Sequence, residues 1–318
     1  MTAAPEISVV MGVFNHADTL PAALESILSQ SGVELEFIVV DDGSTDGSGA
    51  ILDEAARRDP RVNVVHKPNA GLTRALIDGC AVAAAPWIAR QDADDVSLPG
   101  RLQAQLARAR QTDAPVLIGC GARICTPEGE TLMEVRPPAD PAAAARRMLA
   151  EGQAISPHGS ILFSKAAYEA VGGYRAEFYY AQDIDLTTRL AERGTVSAVP
   201  EMLYEYRFSP AAISGRHGRF QRAYYRLIRE GHALRERGMA EQPLLAKAEK
   251  LRHECLRHRG KRGASFEGLY YIGTRLLARR SGHAAGYFRQ ALAQRPWSLK
   301  AWLRWSQAAV RGQTEARP

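Results

Sequence analysis

Short apolar runs alternate with stretches of helical period through the first hundred residues. Residues 7–14 form an apolar run suited to a buried strand, and Leu20, Leu24, Ile27 and Leu28 then recur at helical spacing. Asp18 is the expected N-cap of that helix, Pro21 fits its first turn, and Gly32 stops it. Residues 36–40 make a second apolar run, ended abruptly by Asp41-Asp42-Gly43-Ser44. A helix over 48–58, a strand over 62–65, a helix with Leu72, Ala75, Leu76, Gly79 and Cys80 on one face, and a strand over 86–90 follow. Strands alternating with helices imply βαβ units and a mainly parallel sheet.

Beyond Leu98 the pattern loosens. Leu102 and Leu106 mark a helix, residues 116–135 read as two strands about the turn 127–130, and a helix is expected over 141–150. A strand over 159–163, a helix over 166–171 closed by Gly172-Gly173, and a helix over 183–193 stopped at Gly194 complete this part. From about Phe220 the pattern is helical throughout. Residues 282–312 resemble one tetratricopeptide unit without a second copy, which cannot bury its own face, so these helices are expected to pack on the main domain. The fold class is therefore α/β, a mostly parallel sheet flanked by helices with antiparallel additions, divided into a domain over 1–215 and a helical extension over 216–318.

Charge sharpens that division. Residues 1–215 hold 18 Lys+Arg and 28 Asp+Glu, whereas residues 216–318 hold 23 and 7. The acidic part is where a cation could sit, and the basic part suits an anionic surface or solvent. No apolar run approaches the roughly 20 residues that span a bilayer, and the N-terminus reads as the entry to a strand, not a secretory signal. Cys80, Cys120, Cys125 and Cys255 form no CxxC pair, so they are expected as free buried thiols in a reducing compartment. No GxGxxG follows the first strand, which argues against a dinucleotide site.

Three acidic clusters carry the chemistry. Asp41-Asp42-Gly43-Ser44-Thr45-Asp46-Gly47 and Gln91-Asp92-Ala93-Asp94-Asp95 fall at predicted strand C-termini, the edge where open α/β sheets bind ligands. Asp42, Ser44, Asp46, Gly47 and Asp53 also match positions of a calcium loop, but a strand precedes them where that loop needs a helix. Three carboxylates within Asp92–Asp95 repel one another unless something positive sits among them, and their hard oxygens suit Mg²⁺ or Mn²⁺. Gln182-Asp183-Ile184-Asp185 opens a helix, where an aspartate could cap it or complement its dipole.

Taken in order, these landmarks resemble the inverting family 2 glycosyltransferases of GT-A fold, over roughly residues 6–208. The set comprises residues 9–15, Phe37 through Asp46, Asn69-Ala70-Gly71-Leu72 with Arg74, Asp92 through Asp95 leading to Leu98-Pro99 and Arg101-Leu102, and Gln182-Asp183. The resemblance implies that Gly12 and Phe14 line a nucleobase pocket and that Asp42 accepts a hydrogen bond from the base, usually uracil. Arg74 would sit near the base or diphosphate, Asp92 near the ribose or metal, and Asp94 on a divalent cation, Mn²⁺ or Mg²⁺. Asp183 would be the general base on the acceptor hydroxyl. Gly12 stands where the family often has Pro, and Gln182 where it often has Glu.

His158 lies where the family often places a histidine, near the acceptor or simply satisfied in a loop, and Gly172-Gly173-Tyr174 would turn near the acceptor pocket. His217 could reach a diphosphate from a closing loop. Trp297, Trp302 and Trp305 in the basic tail suit either a small helical core or a membrane interface. The implied partners are a UDP-type sugar donor and a glycan or lipid-linked glycan acceptor in cell-envelope synthesis. The implied location is cytoplasmic, with peripheral contact at the inner face of the membrane. Nothing beyond a basic tail suggests nucleic acid. A non-catalytic GT-A-like scaffold that binds a nucleotide or glycan is the other class of reading. A nucleotidyltransferase would show a Gly-rich loop with Arg and Lys after the first strand, which is absent.

Overall fold

A computed structural model describes residues 4–138, 140–210, 218–257 and 264–315. Its first half is β1 (Ile7–Val13), α1 (Leu20–Leu28), β2 (Leu35–Asp41), α2 (Ser48–Arg58), β3 (Val62–His66), α3 (Leu72–Val82), β4 (Trp87–Asp92), β5 (Val96–Ser97) and α4 (Arg101–Ala109). Then come β6 (Leu117–Cys125), β7 (Thr131–Val135), α5 (Pro141–Leu149), a 3-10 turn (His158–Ser160), β8 (Leu162–Ser164), α6 (Lys165–Ala170), α7 (Gln182–Ala191) and β9 (Val196–Arg207). The extension contributes α8 (Gly218–Glu236), α9 (Gln242–Arg257), α10 (Phe266–Ala278), α11 (Ala284–Gln294) and α12 (Leu299–Glu315).

The sheet runs β3-β2-β1-β4-β8-β6-β9-β5, with β7 on β6. β3, β2, β1 and β4 are mutually parallel, β8 runs against both β4 and β6, and β9 is parallel to β6. Side chains alternate across each strand. Val9, Met11, Phe37 and Val39 join Leu20, Leu24, Leu52 and Leu102 on one face, whereas Val10, Ile38 and Val40 join Leu76, Met148, Leu186 and Leu190 on the other. Both faces are thus covered, so the strands read as unbroken apolar runs. Each large aliphatic or aromatic side chain buried this way contributes about 1.5–3 kcal/mol.

Four details depart from the sequence pattern. The cap position of α1 falls on Thr19, not Asp18, and makes no side-chain cap bond. Gly32 (φ +74°) lies beyond the end of α1 and turns the chain toward β2. The strand expected over 159–163 is divided into the 3-10 turn and β8. Finally, the twelve-residue β9 had no clear sequence signal, because Pro200 and Glu201 interrupt its alternation. The sheet accommodates them as an irregularity opposite Gly121, where a Cβ would lie 2.6 Å from the Glu201 carbonyl.

The extension packs on the sheet domain in two places. Phe220, Tyr224, Ile228 and Leu244 cluster with Phe178, Tyr180 and Ile184 ahead of and within α7. Ile272, Leu276, Phe288 and Ala308 cluster with Ile124 and Leu132 of the β6–β7 hairpin. α10 therefore supplies the partner that the α11–α12 pair lacks by itself. Trp305 is partly buried in this cluster, whereas Trp297 and Trp302 stand exposed. All four cysteines are buried free thiols.

Candidate active site

β1 lies between β2 and β4, and the chain order reverses there. Gly12 pairs with Val40 on one side and Asp92 on the other, so the first two acidic clusters emerge at the same edge of the sheet. This is the switch-point crevice in which open α/β sheets bind ligands. A Cβ on Gly12 would meet Leu72 Cδ1 at 3.1 Å and Ala75 Cβ at 3.3 Å, so the missing side chain lets α3 pack close to β1.

Asp42 is 2% exposed, and its oxygens accept the backbone N–H groups of Ala70 (2.8 Å) and Gly71 (2.7 Å). It thereby fixes the loop that starts α3. Arg74 is exposed on the first turn of that helix, and Phe14 is half-buried just past β1. The loops after β1 and β2 are laced together: Thr45 N donates to Asn15 Oδ1 (2.7 Å), Asn15 N to Ser44 Oγ (3.1 Å), and Ala17 N to Asp46 (3.0 Å). Asp46 also accepts from Ser48 at the start of α2, and Asp53 meets the His66 ring. With β2 ahead of it, this segment is a loop brace and not a calcium loop.

The acidic run at the end of β4 has its positive charge built in. Arg90 is fully buried, two residues before Asp92 and so on the same side of the strand. Its guanidinium donates to the Val10 and Gln91 carbonyls (2.8 and 2.9 Å) and forms an ion pair with Asp92. Arg101, also fully buried, donates to the carbonyls of Gly159 and Arg90 at 2.9 Å each, which pins the 3-10 turn against β4. Asp95 is fully buried as well, accepting from Tyr204 Oη and Arg207 N at 2.8 Å each. Burial, then the charges of Asp94 and Asp92, push its carboxyl well above the usual carboxylate range. β9 thus supplies the partners of the last carboxylate. Arg90, Arg101, Tyr204, Arg207 and Gly159 have no assigned role in the sequence reading. Arg90 had a signal in its spacing from Asp92, and Arg101 stood among the family landmarks.

Asp92 and Asp94 are half-buried at the crevice. Burial and the neighbouring Asp92 charge raise the Asp94 carboxyl, opposed by His16 and Arg207. Asp94 takes a hydrogen bond only from its own backbone N–H among the described residues. Asp94, with the Asp92 oxygen that Arg90 does not hold, offers two clustered carboxylates that fit a hard divalent cation. No group of three or more His, Cys, Asp or Glu could hold an ion among the described residues. Such a cation would therefore complete its shell with phosphate and water.

Asp183 is half-buried in the first turn of α7. The cap position is Ala181, which makes no side-chain cap bond, so Asp183 is not a cap. Asp185 is buried and bound by Arg175 and Arg189. Burial raises the Asp183 carboxyl; the Ile184 N–H and Arg90 lower it, and Asp92 raises it further. His158 and Asp183 line one narrow recess walled by Met148, Ile155, Ile184 and Thr187. His158 Nε2 meets the Tyr174 hydroxyl at 2.7 Å, and burial drops its pKa to about 3, so its ring is neutral at ordinary pH. Tyr174 of the Gly172-Gly173-Tyr174 turn is therefore beside His158. The Gln182 side chain is buried, and its Oε1 has no partner among the described residues. His217 lies outside the described residues.

Comparisons with known proteins agree with this geometry. EpsE of Bacillus subtilis (strain 168) is 33% identical over 221 residues, 68% of this chain and 78% of EpsE. The next relatives match over 36% of this chain and 32–38% of their own length. The mannosyltransferase PcManGT of Pyrobaculum calidifontis, solved with GDP-Man and Mn²⁺, superposes with a TM-score of 0.55 at 20% identity. That match covers 99% of this chain and 89% of PcManGT. S. aureus TarS (1–349), solved with UDP, gives 0.55 at 14% identity over 98% of this chain and 91% of its own. Both likenesses concern the GT-A fold. The model of Glycosyl transferase family 2 matches residues 8–172. With its parallel switch-point sheet and ordered acidic clusters, the chain belongs to glycosyltransferase family 2.

Proposed function

We propose that this glycosyltransferase moves a sugar from a nucleoside-diphosphate donor, UDP-linked, to an acceptor hydroxyl with inversion at the anomeric carbon. The catalytic unit is residues 1–215, and 216–318 is a basic helical extension. The acceptor is a glycan or lipid-linked glycan of the cell envelope, met at the inner face of the membrane. The observation that carries this reading is geometric: Gly12 stands between Val40 and Asp92, so the Asp41-Asp42 and Asp92–Asp95 runs emerge at one edge of the sheet.

Each residue has a task in this mechanism. Gly12 and Phe14 border the base, Asp42 shapes that pocket by holding residues 70 and 71, and Arg74 offers a cation to the base or diphosphate. Asp92 would meet the ribose or, with Asp94, hold a divalent cation, Mn²⁺ or Mg²⁺. That cation, when bound, neutralises negative charge on the departing diphosphate. Arg90 holds Asp92 in place from beneath. Asp183 takes the proton of the acceptor hydroxyl as it attacks from the face opposite the leaving group, a contribution typically about 10²–10⁴-fold. His158, neutral and tied to Tyr174, and Gln182, with its open Oε1, line the acceptor side.

The test is calorimetric titration of UDP, with GDP as comparison, with and without Mn²⁺, on the native protein and Asp94→Ala. Metal-dependent UDP binding lost in Asp94→Ala supports the reading. GDP binding alone would move the donor to the guanine series. No nucleotide binding in any condition would favour a glycan-binding scaffold.

A further inference from the structure

α12 carries two apolar stripes, and the domain covers one of them. Ala301, Trp305 and Ala308 turn inward to α10 and α11. Leu299, Trp302, Leu303 and Val310 recur at i, i+3, i+4 and i+11, on the opposite side. They are 83%, 48%, 59% and 65% exposed, and Trp297 just ahead of the helix is 77% exposed. A helix apolar on two sides, with only one of them packed, has a second surface to bury.

Two observations say what covers it. The first is charge. Residues 268–314 contain eight Lys+Arg and no Asp or Glu, between Glu267, which pairs with Arg295, and Glu315. Lys300 and Arg304 fall on the flank between the two stripes, both exposed, with the Lys300 ammonium over the Tyr270 ring at 4.8 Å. The second is the state of the indoles. Trp302 Nε1 already donates to the Pro296 carbonyl at 2.7 Å, and its ring meets Trp305 edge-on at 5.6 Å. The Trp302 N–H is therefore satisfied locally and the exposed ring can enter an apolar medium without stranding a donor. A second copy of the chain docked through the same stripe would set Lys300 and Arg304 against their own like charges. A nucleic acid would neutralise the cations but leave the leucines and Val310 in water.

From these features we infer that the outer face of α12, with Trp297, is a membrane-docking surface that lies in the interface of an anionic lipid bilayer. The apolar stripe enters the acyl boundary, and the flanking cations meet the headgroups. The position of this surface relative to the catalytic edge follows from the fold. Arg207 at the end of β9 bonds Asp95, and the next residue, Phe208, packs on Tyr271 of α10 at 5.0 Å. The docking unit is thus joined directly to the sheet edge that bears the acidic run.

The test is co-sedimentation of the full chain with vesicles of phosphatidylcholine alone and of phosphatidylcholine with phosphatidylglycerol. Binding to the anionic vesicles is expected, weakened at high salt. Roughly tenfold or greater loss is expected in the triple variant Leu299→Ser, Leu303→Ser, Val310→Ser, whose side chains are exposed. Arg304→Glu, which alters no apolar contact, should weaken binding severalfold by itself. A native protein that ignores anionic vesicles, or a triple variant that binds as well as native, would overturn the inference. So would a concentration-dependent dimer that the triple variant abolishes without any vesicle binding. Competition by RNA that leaves binding insensitive to the triple variant would overturn it also. None of these outcomes depends on sugar transfer, so they stand apart from failure of the catalytic reading.

Discussion

Tyr204 donates its hydroxyl proton to Asp95 across 2.8 Å, joining β9 to the last carboxylate of the acidic run inside a fully buried site. Tyr204→Phe removes that donor and leaves one carboxylate oxygen short of a partner. The expected cost is about 1–3 kcal/mol of stability, read by urea denaturation. Nucleotide binding should weaken too, because the turn that carries Asp94 is held from this side.

Gly159 occupies a space with no room for a methyl group. An added Cβ would stand 1.9 Å from the Tyr204 hydroxyl and 2.8 Å from Asp92 Oδ2. Gly159→Ala should therefore cost about 1–3 kcal/mol through overpacking and reduce donor affinity. Thermal unfolding with and without nucleotide checks both. A variant of native stability and native affinity would mean that the turn yields easily.

The raised Asp183 carboxyl sets a pH limit. The proposed base must be ionised, and burial holds its pKa above the ordinary 3.8. Turnover should therefore fall as pH drops through that raised value, at a higher pH than an exposed aspartate would give. Asp183→Asn should remove this acid limb and lower kcat by about 10²–10⁴-fold, leaving the Kd for nucleotide near native. Near-full turnover in Asp183→Asn would refute the assignment.

His66 bridges two carboxylates, Nδ1 to Asp41 at 2.9 Å and Nε2 to Asp53 at 3.0 Å. Both ring nitrogens donate only in the imidazolium. Its pKa is raised above 6.5 by the bond to Asp41, then the bond to Asp53. The stability it contributes is fully present below pH 6.5 and is lost as pH rises through the folded value. The gap in melting temperature between native protein and His66→Asn should accordingly narrow from pH 6 to pH 8. Partial exposure of both His66 and Asp53 keeps the effect small.

Glu241, just ahead of α9, reaches Arg175, which also binds Asp185, two residues after Asp183. Arg235 joins Glu241 to Glu192 as well. Glu241→Gln should lower kcat with little change in nucleotide affinity, since α7 loses a brace but the switch-point crevice does not. It should cost about 1–3 kcal/mol of stability. Equal losses in kcat and nucleotide binding would point to general unfolding instead.

Much of the first half was legible because its physics is local. Strands buried on both faces read as apolar runs, and Asp42, Asp92 and Asp94 stand where those runs stop. Arg90 was legible in principle: alternation sets it beside Asp92, and three adjacent carboxylates call for a cation. Tyr204, Arg207 and Gly159 were not legible, because their roles arise from contacts with residues far along the chain. The bulge that admits Pro200 and Glu201 depends on Gly121 in another strand, and no periodicity within β9 reports it. Asp42 shows a subtler limit: its position was readable, but no local pattern reports that the amides of residues 70 and 71 would claim both its oxygens.

The Tyr204–Asp95 bond spans 109 residues, and that interval orders events during synthesis. A nascent chain that has released only its first hundred or so residues already holds β1 to β4, yet its Asp95 has no tyrosine and no Arg207 amide. Domains generally fold as units during synthesis, so this sheet cannot close around Asp95 until β9 has emerged, and until then that carboxylate stays hydrated. The donor crevice is consequently a late product of folding.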